Sequence, residues 1–368
     1  MKKIIFIPPN GKIKKQDYAL ERIAKSLRNN HTIETVLLYI GDKNIAYMSD
    51  FDRIIRVSSE ERLFATLHTL QYDTIFVRGW MHAYSFSAEI VKQFQNVVVN
   101  IKDWNFSTRE IYKFLFERDD DFEAIEYIFK NAKYILSHYT TEQANIWARE
   151  YQVDKSKFLF FPDMCNEDYF YKKQNTFNIK NIHLVYAGRI ASTSLPEEYF
   201  PNKAHLYSVK LITSQGINID YVIPENIYID MCLNKHLYLD FFYEDKFNKN
   251  FNIVKGKVLN ASVLEKYNFG FFELHINCHN EALYRYAVIS KFIFYLEAGL
   301  PILVHEKFKS IAKMVKENKL GIVFSNNDLY RLNELLNIDK IEYENFLLNI
   351  VLFREKFKML NKNVFTKL

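Results

Sequence analysis

Ser290-Lys291-Phe292-Ile293-Phe294-Tyr295-Leu296-Glu297-Ala298-Gly299-Leu300-Pro301-Ile302-Leu303-Val304 changes its period midway. The first part repeats apolar side chains at helical spacing, Gly299 and Pro301 stop that helix, and Pro301 to Val304 is a short apolar run suited to a buried strand. Ser290 is a candidate N-cap. Its hydroxyl would satisfy one orphan amide, while the remaining first-turn N–H groups, the positive helix end and the charge of Lys291 would offer an anion site that a diphosphate fits. An ordinary capped helix with a solvated lysine is the other reading of the same residues.

Working outward, short β-branched runs alternate with helical segments along the whole chain, the signature of parallel sheets wound with helices. In the first half the predicted strands are Ile4 to Ile7, Thr35 to Tyr39, Thr74 to Val77, Val97 to Ile101, Tyr134 to Leu136 and Phe158 to Phe161. A helix carrying Tyr18, Ala19, Ile23 and Leu27 follows the first loop, and Ser59–Leu70, Ser85–Phe94, Thr108–Phe116 and Thr141–Tyr151 are predicted helices. The polar stretch 171–178 lacks any period and marks a boundary. Beyond it the predicted strands are Ile182 to Ala187, Ile219 to Ile223, Tyr238 to Phe242, Phe251 to Lys255, Phe269 to Glu273, Pro301 to Val304 and Gly321 to Phe324. Helices are predicted near 204–213, 262–266, 291–297 and 310–317, with closing helices from Leu329 onward. The fold class is therefore α/β: two Rossmann-like parallel-sheet domains, 1–174 and 175–340, facing a cleft, with 341–368 as C-terminal helices packing back on the first domain. In such sheets ligands sit beyond the carboxyl ends of the strands, which places the expected chemistry between the halves.

Composition narrows the function. The chain has 49 Lys and Arg against 44 Asp and Glu, a net charge of +5, too small an excess for a dedicated polyanion binder, so nucleic acid is not an expected partner. Three scattered cysteines, Cys165, Cys232 and Cys278, spell neither a disulfide framework nor a paired-cysteine metal site. The apolar run after Met1-Lys2-Lys3 ends at Pro8, shorter than a secretory h-region, and no apolar stretch reaches the ~20 residues of a membrane span. The expected location is cytoplasmic, at most at the inner face of a membrane through peripheral contact of lysines and aromatics in the first half.

The run Lys291-(x3)-Tyr295-Leu296-(x)-Ala298-Gly299-Leu300-Pro301-Ile302 resembles the "K-(x3)-Y-L-(x)-A-G-(x)-P-V" segment of GT-B-fold glycosyltransferases. Other pieces agree in order: Tyr186-Ala187-Gly188-Arg189 is similar to "Y-x-G-R", and Pro162-(x3)-Asn166 to Phe170 is similar to "P-N-G-V-D-(x3)-F". Gly256-Lys257-Val258 with Leu264 and Tyr267 to Gly270 resembles "G-x-V … L … Y-D-x-G", and Gly321 to Phe324 resembles "G-I-V/G-F". The resemblance covers residues 160 to 325. It implies a transferase moving a sugar from a nucleotide diphosphate donor to a glycan, lipid-linked or protein hydroxyl, with surface polysaccharide or glycoconjugate assembly as the usual setting. Lys291 would contact the diphosphate, with Gly188, Arg189 and Ser290 beside it. The paired glutamates of family-4-like members are absent, their places being taken by Phe294 and Tyr286.

Glu281, in the expected loop before the helix, is the candidate for donor sugar or ribose hydroxyls. Arg189 suits phosphate because its planar guanidinium stays charged. Asp103, just past the strand Val97 to Ile101, is the first choice for a general base, followed by His138, with His82 also considered. Lys102 beside Asp103 is a candidate to neutralise it. Asn10 and Gly11 form an acceptor-side loop. Asp119-Asp120-Asp121 reads as a solvated helix approach or loop, and no metal or cofactor is expected beyond the nucleotide sugar as co-substrate. Two rivals share these features: a nucleotide-sugar epimerase of the same fold, and a non-catalytic glycan- or partner-binding protein on a degenerate scaffold.

Overall fold

The computed structural model describes residues 1–13, 18–28, 30–41, 46–104, 109, 112–113, 117, 119–172, 177–256, 261–272 and 276–368. The backbone divides into two units, Met1–Asn166 with Lys358–Leu368, and Glu167–Phe357. The division falls after Asn166 rather than after 174, and of the last 28 residues only Lys358–Leu368 join the first unit.

In the first unit, β1 (Lys2–Ile7), β2 (Ile33–Ile40), β3 (Arg53–Val57), β4 (Thr74–Arg78), β5 (Val97–Ile101), β6 (Tyr134–Ser137) and β7 (Phe158–Phe160) form one parallel sheet. Their order is β3-β2-β1-β4-β5-β6-β7. Ile4, Ile5, Phe6 and Ile7 are all fully buried, which is why β1 reads as a continuous apolar run: a central strand covered on both faces has no polar side to show. Edge strand β3 shows no such run, because Arg53, Ile54 and Arg56 face water. One core gathers Phe6, Phe76 and Phe161 around Phe365 from the last helix, Lys340–Lys367, and Thr74 donates a 2.8 Å hydrogen bond to the Leu368 carbonyl. Burial of these rings fixes the chain end on the first unit.

The second unit holds β8 (His183–Ala187), β9 (Asn218–Pro224), β10 (Phe251–Gly256), β11 (Phe269–Phe272), β12 (Ile302–His305) and β13 (Gly321–Phe324), all parallel, in the order β10-β9-β8-β11-β12-β13. Both units are thus Rossmann-like α/β. The predicted strand at Tyr238 to Phe242 is instead a 3-10 turn, Lys235–Tyr238, running into the helix Leu239–Phe247, after an unforeseen helix Glu225–Leu233. Tyr238 and Phe241 face the core, but Leu239, Tyr243 and Phe247 are apolar and exposed, so the helical period is hidden. The segment predicted as a helix near 262–266 shows a single 3-10 turn, Ala261–Leu264. Near the amino ends of these strands Asp220 is buried. Burial opposes its charge, yet donors from His183, Asn252, Lys266 and Tyr267 outweigh that and hold the carboxyl well below its ordinary range.

Candidate functional site

In each sheet the strand order reverses at one point, between β1 and β4 and between β8 and β11, and the loops leaving the carboxyl ends there open a crevice. In the second unit the helix Ser290–Glu297 starts at this point. The spacing Lys291-(x3)-Tyr295 places both side chains on one helix face. The Tyr295 hydroxyl sits between the two strands: the Ala187 N–H donates to it at 3.0 Å, and the Val185 and Phe271 carbonyls lie 3.0 and 3.2 Å away as acceptors. Gly270 makes this approach available, since a Cβ there would stand 2.4 Å from the Tyr295 ring. With Tyr295 anchored, Lys291 one turn earlier reaches the end of β8. Its ammonium lies 3.3 Å from the centroid of the Tyr186 ring, and a Cβ on Gly188 would be 3.2 Å from Lys291 Cε and Nζ.

Gly188 and Lys291 therefore come together at the end of β8. Arg189 is exposed and lines a cavity of about 490 Å³ whose walls include Tyr186, Asn202, His205, Asp230 and Tyr238. Ser290, Lys291 and Glu281 do not line that cavity. Ser290 is not the cap: Ile289 occupies the N-cap position with no side-chain cap hydrogen bond, and Ser290 is the first helical residue. Glu281 opens a short helix, Glu281–Tyr284, rather than lying in a loop, and pairs with Arg285 at 3.1 Å. Glu297 is buried, its carbonyl accepting from the Tyr171 N–H and from Arg354, so it packs at the far end of the helix.

In the first unit, four carboxyl-end loops carry the expected residues. After β1, Asn10 donates to the carbonyl of His82, in the loop after β4, at 3.0 Å, which ties the loops on either side of the crossover. Asn10, His82 and Asp103 all adopt left-handed backbone, φ 52°, 70° and 57°. Asn10 and His82 line a cavity of about 530 Å³ with Ser85, Glu89, Asp120 and Tyr127. Gly11 is buried beside Ile40 and Leu63 and does not line it. Asp103, after β5, and His138, after β6, come together at 3.8 Å. Burial pushes His138 down to about 4, outweighing the attraction of Asp103, so its imidazole is neutral at pH 7. Lys102 does not neutralise Asp103 directly; it pairs with Asp163 at 3.0 Å.

Asp121 corrects the expectation of a solvated acidic segment. It is fully buried in the helix Asp121–Asn131, and its carboxylate accepts from the N–H groups of His82, Tyr84 and Ser85 and from the Tyr112 hydroxyl. It caps the start of the helix Tyr84–Gln93 from a neighbouring element, and no local sequence signal reveals such a long-range cap. Of the segment 108–116 only residues 109, 112 and 113 are described, and Lys257, Val258 and Glu273 lie outside the described residues. Among the described residues no cluster of His, Cys, Asp and Glu is arranged to hold a metal ion, and no helix is long and apolar enough to cross a membrane.

The two units, each a parallel sheet whose order reverses once, have the fold of GT-B proteins, to which the solved structures below are similar. Residues 232–368 match the family model described as Glucosyltransferase 3-like, C-terminal domain. Similar solved structures include Anabaena HepE in complex with UDP-glucose, 10% identical with a TM-score of 0.66 over 100% of this chain and 99% of that one. An E. coli trehalose-6-phosphate structure bound with UDP-2-fluoro glucose is 10% identical, TM-score 0.63, covering 100% and 98%. WaaG, a glycosyltransferase involved in lipopolysaccharide biosynthesis, is 12% identical, TM-score 0.58, covering 99% and 98%. No curated protein matches the sequence.

Proposed function

We propose that the chain is a glycosyltransferase that takes a sugar from a nucleoside diphosphate donor and passes it to a hydroxyl of a glycan, lipid-linked or protein acceptor in surface polysaccharide or glycoconjugate assembly. The observation that carries this reading is the ammonium of Lys291, held against Tyr186 and Gly188 at the carboxyl end of β8, where the order of the second sheet reverses. A leaving diphosphate accumulates negative charge as the glycosidic bond breaks, and fixed cations at that place stabilise the transition state. Lys291 and Arg189 supply them, aided by the helix that starts at Ser290. Such fixed charges let the reaction run without a bound metal.

On the acceptor side, Asp103 is the candidate base. It stands 3.8 Å from the buried, neutral imidazole of His138, at the carboxyl ends of neighbouring strands. The match to a glucosyltransferase-like domain and the UDP-sugar complexes of structural neighbours support a nucleotide-sugar donor. The absence of a membrane-crossing helix among the described residues is compatible with a cytoplasmic enzyme working at the inner membrane face.

A thermal-shift screen against UDP, GDP and ADP, followed by incubation with labelled nucleotide sugars, tests the reading. Stabilisation by one diphosphate and acceptor-dependent release of that nucleotide are expected. Interconversion of donors without acceptor would instead identify an epimerase. One observation favours a non-catalytic scaffold: Phe294 and Tyr286 occupy the positions of the family glutamates. A protein stabilised by no nucleotide would carry that second reading.

A further inference from the structure

We infer that Tyr186 is the positioning residue for the donor diphosphate, its ring holding the Lys291 ammonium where the phosphates arrive. The inference rests on the donor-site reading above and deepens it. Both partners are buried, Tyr186 at 3% and Lys291 at 8% exposure, and the ammonium stands 3.3 Å from the ring centroid. Taking an ammonium out of water is costly unless something replaces its hydration. An aromatic face does so through its quadrupole, and it holds the cation without fixing every N–H to an acceptor.

The ring itself is immobilised. Tyr221 stacks on it with centroids 4.5 Å apart, His205 meets it edge-on at 5.8 Å, and its hydroxyl donates to the Arg189 carbonyl at 3.1 Å. The hydroxyl bond and the two ring contacts hold the ring in place, and the face of the ring holds the lysine. Gly188 closes the remaining side, because even a methyl there would press on Lys291 Cε and Nζ. A cation confined in this way loses little freedom when the ligand binds, so more of the attraction appears as affinity.

A double-substitution cycle read by UDP calorimetry tests this. Tyr186→Leu, which removes the aromatic face, is expected to weaken UDP binding about five- to twentyfold. With Lys291→Met already in place, the same change should cost less than about twofold, because a residue that acts through lysine has nothing left to act on. Tyr186→Phe, which keeps the ring, should bind UDP within about threefold of the native protein. Should Tyr186→Leu not fold, Gly188→Ala takes its place: it displaces a flexible side-chain end, and its cost should likewise vanish beside Lys291→Met. Equal costs in both backgrounds, or a Phe variant as weak as the Leu variant, overturn the inference while native UDP binding leaves the donor-site reading standing. A native protein that takes up none of UDP, GDP and ADP overturns both.

Discussion

Replacing Tyr295 with Phe removes one oxygen from the interior of the second unit and leaves the ring in place, so packing is kept and no cavity forms. What is lost is the acceptor for the buried Ala187 N–H, 3.0 Å away in the native structure, together with contacts to the Val185 and Phe271 carbonyls. A buried donor without a partner costs about 1–3 kcal/mol. For a cooperative unit of this size, that corresponds to a fall in Tm of about 2–10 °C. Tyr343→Phe is the matched control. Its hydroxyl donates to the Asn268 carbonyl at 2.7 Å, and a carbonyl, with two lone pairs, tolerates the loss of a partner better than an N–H does. The control should lose about 1 kcal/mol. Burial raises the ionisation of the Tyr295 hydroxyl well above its ordinary range, so the difference should not change between pH 6 and 9. Scanning calorimetry, following the transition of the second unit, measures both variants. A Tyr295→Phe protein as stable as the native one, or less affected than Tyr343→Phe, would refute the claim that this hydroxyl ties β8, β11 and the helix Ser290–Glu297 together.

Lys291→Ala should lower affinity for the donor diphosphate by about tenfold or more, as expected for loss of a charge-assisted contact, with an unchanged far-UV circular dichroism spectrum; calorimetry with UDP checks it. Asp103→Asn should reduce kcat by about 10²–10⁴-fold while UDP affinity stays within threefold, read from steady-state rates and calorimetry. Gly270→Ala would push a methyl into the Tyr295 ring and should destabilise the second unit by about 1–3 kcal/mol or more, read from denaturant unfolding. His138 is held neutral down to about pH 4, whereas in the unfolded chain it takes up a proton near 6.5. The unfolded state therefore binds the extra proton between these values, so stability falls as pH drops from about 6.5 to 4, by about 3 kcal/mol. His138→Gln should flatten that slope in urea titrations, and an unchanged slope would contradict a buried neutral imidazole.

What could be read from the chain depended on how far each signal is local. Buried central strands such as β1 and β8 announce themselves, because a strand covered on both faces must be apolar throughout. Edge strand β3, with Arg53 and Arg56 exposed, has no such pattern. The helix Leu239–Phe247 was hidden because its outer face is as apolar as its inner one, which leaves a run that fits a strand equally well. The site followed the same rule. Lys291 and Gly188 were legible from motifs, and their meeting follows from the order of β8 and β11. The cap at the following helix was misplaced by one residue, since Ile289 rather than Ser290 takes the extended N-cap conformation. Asp121 was misread because its three N–H partners lie 36–39 residues away, in a loop that only the tertiary fold brings to it.

In the resembled transferases a lysine at the position of Lys291 contacts the diphosphate, and a pair of glutamates stands at the positions of Phe294 and Tyr286. In this chain only the lysine is kept. Lys291 and Tyr295 share one buried face, while Phe294, at the carboxylate position, is half-buried and can accept no hydrogen bond. Glu281 cannot simply take over, because its carboxylate is engaged by Arg285 at 3.1 Å, and drawing it onto a sugar would cost that pair. An exposed pair of this kind is worth at most about 1 kcal/mol, so the exchange is cheap in energy, but it supplies one carboxylate where the family has two. Under the proposed function, discrimination between donor sugars must therefore come mainly from residues outside this helix. The affinity lost on substituting Lys291 should then be nearly the same for UDP as for a UDP-sugar, since the lysine senses the phosphates alone. A much larger loss for the sugar-bearing ligand would show that the helix still reads the sugar, through contacts that the replacement of both glutamates was taken to remove.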